Sequence, residues 1–218
     1  MLNLISTKLC TKRLKILWPY LASVAAIGLI GFWGLLWSAS PQDLSVGRRM
    51  LTSGVMSSWR NGDLIVLIRH EERCDHSEKT CLGPADGLTI AGAITAMSVG
   101  EAFHVLGISN SDILSSPAMR TVQTSLFMFG KASLLSDPSS ICGKTMSAEL
   151  LAHKERGRNL LLVTHSGCIS EIERDLGCPR ATHAEYGSAL FVKVSADGRL
   201  EVLGALNTKD WAAALKQL

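Results

Sequence analysis

Three short polar clusters in this chain hold residue types that do chemistry on anions. The first is Arg69-His70-Glu71-Glu72-Arg73, the second runs from Ser115 through Arg120 to Thr124, and the third is Thr164-His165-Ser166-Gly167. A guanidinium is a permanent cation whose planar fork matches the oxygens of a carboxylate or phosphate. A histidine near neutrality offers an uncharged ring nitrogen. Arg69, Arg73 and Arg120 together with His70 and His165 would make one site rich in donors for a multiply charged anion, provided the chain brings the clusters together.

The elements around the clusters supply that condition. Asp63 to Ile68 is a short, nearly continuous apolar run rich in branched residues, which fits a strand buried on both faces of a parallel sheet. Asp112–Ser115 and Leu160–Thr164 read the same way, and each of the three runs ends in one of the clusters. Gly87–Phe103, Met119–Phe129 and the stretch through Ile169, Ile172 and Leu176 have helical spacing, with Met97, Met119 and Met128 expected in the core. Ala189–Val194 and Arg199–Leu206 flank Ala-Asp-Gly and predict a hairpin. The alternation predicts an α/β three-layer sandwich with a largely parallel central sheet, and in such sheets ligands bind beyond the carboxyl ends of the strands.

Arg69-His70-x-x-Arg73, then Ser115-Ser116-Pro-x-x-Arg120-x-x-Gln-Thr, then Thr164-His165-Ser166-Gly167, in this order and after strands, resembles the histidine phosphatase superfamily over roughly residues 63–206. The run from Arg73-Cys74-Asp75 to Cys81-Leu82, followed by Gly87-Leu88-Thr89-x-x-Gly92, resembles a narrower branch, the lipopolysaccharide core heptose(II)-phosphate phosphatases. The resemblance implies a phosphomonoesterase in which His70 attacks phosphorus and forms a phosphohistidine that water later cleaves. Arg69, Arg73, Arg120 and His165 would hold the equatorial oxygens, each charge-assisted contact contributing about 1.5 to 3 kcal/mol. The second ring nitrogen of His70 would donate to a backbone carbonyl. Ser115, Ser116, Pro117, Gln123 and Thr164 are expected to shape loops rather than touch substrate.

A sugar alkoxide leaves poorly without a proton, so a general acid is expected as well. Glu149 lies in the stretch where many family members carry theirs, with Glu72 and Asp137 as alternatives. Glu71 departs from the family pattern, in which glycine or alanine usually follows the histidine. It must point away from the phosphate or hold a proton.

Composition bounds the rest. The net charge of +3 comes without any dense lysine and arginine run, which argues against a nucleic-acid partner. From Ile16 to Trp37 there is no charged residue, a run long enough at about 1.5 Å per residue to cross a hydrocarbon core of about 30 Å. Lys8, Lys12, Arg13 and Lys15 precede it, so the expected arrangement is a cytoplasmic tail over residues 1–15, a membrane anchor over 16–37, a linker over 38–61 and a catalytic domain over 62–218. The domain then faces the periplasm from a bacterial inner membrane. Cleavage near Ser38-Ala39-Ser40 would instead release it into the same compartment. Of six cysteines, Cys10 precedes the span and is expected to stay reduced, while the other five suit an oxidising space: Cys74 with Cys81 and Cys142 with Cys168 are the expected pairs, leaving Cys178 free. No CxxC or HExxH spacing occurs, and no metal or other cofactor is expected. The expected partner is a phosphorylated glycan or glycolipid; the alternatives are another extracytoplasmic phosphate ester as substrate, or a phosphoglycan-binding module without turnover.

Overall fold

Strand β1 (Leu64–Arg69) is apolar from its first residue to Ile68 because helices cover both of its faces. Alternate side chains enter different layers: Leu64, Val66 and Ile68 join one core, while Ile65 and Leu67 join the other. Strand β4 (Asn159–Thr164) repeats the pattern, with Leu161 and Val163 on the first side and Leu160 and Leu162 on the second. The computed structural model describes residues 40–135, 146–179 and 183–218, together with Gly28 and Cys142. Contacts divide the chain into Met1–Ala39 and Ser40–Leu218, and the fold below is that of the second unit. The apolar run Ile16–Trp37 lies outside the described residues, apart from Gly28. Among the described residues no helix is long and apolar enough to cross a membrane.

The sheet is completed by β2 (Ser111–Ser115), β3 (Ser133–Leu134), β5 (Ala189–Val194) and β6 (Leu200–Leu206), in the spatial order β3-β2-β4-β1-β5-β6. β3, β2, β4 and β1 run parallel, whereas β5 is antiparallel to β1 and β6 to β5. The sheet is therefore mixed, with its parallel part where the polar clusters fall. The expected hairpin is present, its β-bulge lying between Phe191 and Val192.

Helices α1 (Arg49–Thr52) and α2 (Val55–Asn61) precede the sheet. The segment expected as a linker is thus packed structure from Asp43 onward. Leu44, Met50 and Trp59 are buried, and the buried Asn159 donates to Trp59 O at 2.9 Å while accepting from Leu64 N at 3.1 Å. Gln42–Leu44 also lines the outer edge of β6, with Leu44 N donating to Ala205 O at 3.0 Å and Ala205 N to Gln42 O at 2.9 Å. Gly204 permits this approach, since a Cβ there would lie 2.6 Å from Gln42 O.

Helix α3 (Ile90–Leu106) starts at Thr89, whose side chain caps Gly92 N at 2.9 Å. It packs on α4 (Met119–Phe129) through a face the residue sizes conceal. Gly92, Ala93, Ala96, Val99, Gly100 and Phe103 are buried, whereas Ile90 and Ile94 are exposed, as are Met97 and Met119, both expected inside. Only Met128 of the three methionines expected in the core is buried. The reason is the closeness of the two helices: a Cβ on Gly100 would lie 2.1 Å from Met128 O, so only small residues fit between the backbones. Phe103 closes this layer against Trp59, Phe129 and Trp211, at centroid distances of 6.0, 5.5 and 4.7 Å. Burying such a ring contributes about 2 to 3 kcal/mol. The opposite layer holds α5 (Met146–His153) and α6 (Ser166–Asp175), and α7 (Trp211–Leu215) ends the chain.

Candidate active site

The three clusters meet where β1, β4 and β2 end. His70 N donates to Thr164 O at 2.9 Å, and Ser116 N donates to Val163 O at 3.0 Å, so the parallel pairing continues past the last strand residues. Arg69 N donates to Ser188 O at 2.9 Å, adding the start of β5 to the same end of the sheet. Arg120 lies in the first turn of α4, and His165 occupies the N-cap position of α6. Both helices begin at the site, and the unpaired N–H groups of a first turn favour negative charge.

His70 is buried at 4% exposure, and its Nδ1 lies 2.8 Å from Glu71 O. A carbonyl only accepts, so Nδ1 carries the proton and Nε2 keeps its lone pair. Burial, opposed in part by that carbonyl and reinforced by His165, Arg120 and Arg69, pushes the ring down to about 3. The His165 ring stands edge-on to it at 5.4 Å between centroids. Arg120 Nη2 donates to His165 Nδ1 at 3.3 Å, which leaves Nε2 of His165 as its donor. Burial, then Arg120, Arg73 and Arg69, holds His165 at about 4. Both rings are thus uncharged near neutrality, one with a free lone pair and the other with a free N–H.

Arg69 donates through Nη1 to Ala184 O at 2.6 Å, and its guanidinium carbon stacks 3.9 Å over the Tyr186 ring. Its Nε, like that of Arg120, is buried without a hydrogen-bond partner. Burial lowers the proton affinity of both guanidiniums. Arg73 is more open and is gripped by the carboxylate of Asp75. Arg69, Arg120 and His165 thus lie within electrostatic reach of His70, and Arg73 within reach of Arg120 and His165.

The loop between β1 and α3 frames this cluster. Cys74 and Cys81 form a disulfide across it, and Cys142 pairs with Cys168 in α6, leaving Cys178 free and buried. Gln123 Oε1 accepts from Leu88 N at 2.7 Å, and Thr121 Oγ1 donates to Ser116 O at 2.7 Å, which are loop-shaping contacts. Glu72 is spent in the same way: Lys79 Nζ reaches it at 3.0 Å and Thr89 Oγ1 at 2.9 Å. Burial alone would raise its pKa, but these donors outweigh it and the carboxyl is held low, which suits an ion pair and not a proton donor.

Glu71 turns away from the arginines' open side into a buried niche beside Thr208 Oγ1, at 3.4 Å, and Gly187. A Cβ on Gly187 would lie 2.0 Å from Glu71 Oε1, and its φ of +66° also favours glycine. Burial pushes this carboxyl up to about 7, so the group expected either to point away or to hold a proton does both below that value. Glu149, expected as the acid, lies on α5 over an apolar crevice lined by Leu114, Leu135, Leu150, Leu160 and Leu162. Leu135, Leu150, Leu160 and Leu162 belong to the second core, with Leu114 packed against it, and none of the strand-end cluster lines the crevice. Asp137 lies outside the described residues.

Two residues of the cluster carry no sequence expectation. Asp75 pairs with Arg73, and Tyr186 stacks on Arg69 with its ring 5.7 Å from that of His70. The signal for Tyr186 is topological. β5 is antiparallel to β1, with Ala189 opposite Ile68, so the residues before β5 lie beside those after β1. Glu185-Tyr186-Gly187-Ser188 is thereby delivered to the strand-end site.

The fold is one that solved structures share. The chain superposes on a phosphoglycerate mutase from Bacillus anthracis with a TM-score of 0.54 at 15% identity, covering 73% of this chain and 99% of that one. It superposes on the protein histidine phosphatase SixA in complex with tungstate with a TM-score of 0.53 at 17% identity, covering 67% and 98%. The fold is thus one that these two structures share. In sequence the chain is 35% identical over 115 residues to the lipopolysaccharide core heptose(II)-phosphate phosphatase of Salmonella typhi, an alignment spanning 51% of this chain and 57% of that protein. The same figures hold for its namesake in Salmonella typhimurium. The chain therefore spans little more than half the length of the curated relatives it matches. No family model matches the chain.

Proposed function

We propose that the protein is a phosphomonoesterase acting through a phosphohistidine on His70, and that its substrate is a phosphate on the heptose of the lipopolysaccharide core. The observation that carries the reading is a buried, uncharged His70 whose Nδ1 is committed to Glu71 O while Arg69, Arg120 and His165 surround its other side. Those residues are what an in-line attack by Nε2 needs. Arg69, Arg73 and Arg120 neutralise the equatorial oxygens, the Nε2–H of His165 donates to one of them, and the lone pair of His70 meets phosphorus. The phosphorus–nitrogen bond forms as the ester bond breaks, and water then releases phosphate and restores the ring.

The heptose assignment is supported by the names of the Salmonella relatives and by the Arg73 to Cys81 loop that lies against the arginines. The paired cysteines suit an oxidising compartment. A periplasmic domain over residues 62–218, held at a bacterial inner membrane by residues 16–37, would meet such a glycolipid at the surface where both are confined.

The test is turnover by the full chain. Release of phosphate from an aryl phosphate, an acid-labile phosphoenzyme, and loss of both in His70→Ala with an unchanged thermal melt are the expected results. A fully active His70→Ala would remove the mechanism. Mass spectrometry of core oligosaccharide from cells with and without the gene tests the substrate; an unchanged heptose phosphate count while the protein is made would remove it and leave the phosphatase.

A further inference from the structure

If His70 is the nucleophile, the departing sugar oxygen still needs a proton, and of the carboxyls first considered those among the described residues are engaged elsewhere, Asp137 lying outside them. Glu72 is held as an ion pair by Lys79 and Thr89, and Glu149 sits over an apolar crevice in mid-sheet. Glu71 is turned into the niche behind Gly187. Among the described residues a phenol stands beside both Arg69 and His70.

Tyr186 is half-buried with the Arg69 guanidinium over its ring, 3.9 Å from guanidinium carbon to ring centroid. Its ring is tilted by 47° to that of His70 at 5.7 Å. The register Ile68 opposite Ala189 and the bond from Arg69 N to Ser188 O tie its backbone to that of the nucleophile motif. Its hydroxyl end bears electrostatically on Arg69, Arg73 and Arg120 alike. The phenol also hydrogen-bonds to the Arg69 side chain, so it stands beside that arginine at the edge of the cluster's opening. In an in-line displacement the leaving oxygen departs on the side opposite the attacking nitrogen, which is that opening.

We propose that Tyr186 is the general acid of the phosphatase reaction, its phenolic hydroxyl protonating the departing sugar oxygen. The inference rests on the phosphohistidine reading above. As the bond from phosphorus to His70 Nε2 forms, the ester bond breaks, its electron pair passes to the sugar oxygen, and that oxygen takes the phenolic proton. The phenolate is stabilised by the surrounding guanidiniums. Water then attacks the phosphohistidine, its proton returns to the phenolate, and the phosphorus–nitrogen bond electrons return to the imidazole.

Tyr186→Phe tests this directly, since it keeps the ring and its stack on Arg69 and removes only the hydroxyl. Two substrates are compared through kcat/KM, which reports steps up to release of the alcohol: an alkyl phosphate such as a hexose 6-phosphate, and p-nitrophenyl phosphate, whose phenolate leaves without a proton. The expected result is a loss of about 10²- to 10³-fold on the alkyl ester and a change of no more than about threefold on the aryl ester. Equal losses on both would make Tyr186 a positioning residue for Arg69 and overturn the proposal, as would no loss on either. Asp75→Asn and Asp86→Asn, which remove the exposed carboxyls that bear on Arg73 and Arg120, serve as comparisons. If one of them shows the leaving-group pattern and Tyr186→Phe does not, the acid lies there. Failure of the parent reading is separately visible, because His70→Ala would then keep activity on both esters.

Discussion

Asp75 grips Arg73 through both carboxylate oxygens, with Nε and Nη2 of the guanidinium each donating. The pair lies at the open rim of the site, its side chains 23% and 31% exposed. A guanidinium fork occupied by one carboxylate has fewer free donors for a phosphate, so substrate and Asp75 compete for the same face of Arg73. Asp75→Asn should lower the inhibition constant of inorganic phosphate against an aryl phosphate by about two- to fivefold, the range for an exposed ion pair, with kcat nearly unchanged. Weaker phosphate binding would instead mean that Asp75 holds Arg73 in its working position.

Glu71 makes stability depend on pH with a definite sign. Its folded-state pKa is raised by burial to about 7 from 4.5, so the native state holds a proton that the unfolded chain has released. That contribution is complete below about pH 4.5 and disappears as pH rises through 7. Glu71→Gln should therefore flatten the decline in unfolding free energy between pH 5 and pH 8, by at most about 3 kcal/mol. Glu173, which burial also raises to about 7, is present in both proteins and cancels in the difference. Denaturant melts at the two pH values measure it; identical declines would show that Glu71 is ionised in its niche.

The histidine pair should be silent where free histidines titrate. With His70 at about 3 and His165 at about 4, neither ring gains a proton near 6.5. Both values are depressed, so their contribution to stability is intact above 6.5 and is lost as pH falls toward 4 and below. Ring resonances of isotope-labelled protein should stay flat from pH 8 to 5. An inflection near 6.5 assigned to either ring would contradict the neutral, lone-pair-bearing imidazole on which the proposed attack depends.

Cutting the Cys74–Cys81 link should loosen the loop that aligns Arg73. The closed loop is short, with a sequence separation of 7, and its closure is worth about 2 to 3 kcal/mol on the chain-entropy scale. Cys74→Ser with Cys81→Ser should lower the melting temperature and raise KM for phosphate esters more than it lowers kcat, since the loop carries Arg73 and not His70. A kcat loss without a KM change would point to damage at β1 instead.

What was legible from residue types follows where burial is symmetric or polarity is abrupt. β1 and β4 were readable because helices cover both faces, so their runs are apolar throughout and stop at Arg69 and His165. The buried face of α3 is hard to read because it is built from small residues, Gly100 meeting α4 at Met128 and Gly92 meeting Glu72, which carry little hydrophobic signal, while Ile94 and Met97 are exposed. The segment before β1 looked like a linker because α1 and α2 are too short to show a helical period, although Met50 and Trp59 are buried. Tyr186 could not be found by motif, since its place depends on the antiparallel register of β5 with β1. The Cys74–Cys81 pair is legible in the short loop it brackets, whereas no spacing singles out Cys142 with Cys168.

The strip Gln42–Leu44 along β6 also governs how the molecule meets copies of itself. An open β-edge is a template for a strand from another chain, and here that edge is occupied from within, Gly204 allowing the close approach. A version starting at Asp63, which keeps every residue of the strand-end cluster, would uncover β6 together with the apolar surface under Leu44, Met50 and Trp59. Such a molecule would retain its chemistry-bearing residues and still be prone to edge-to-edge self-association. The stretch before β1 thus guards solubility, and the smallest well-behaved form of the domain begins before Gln42.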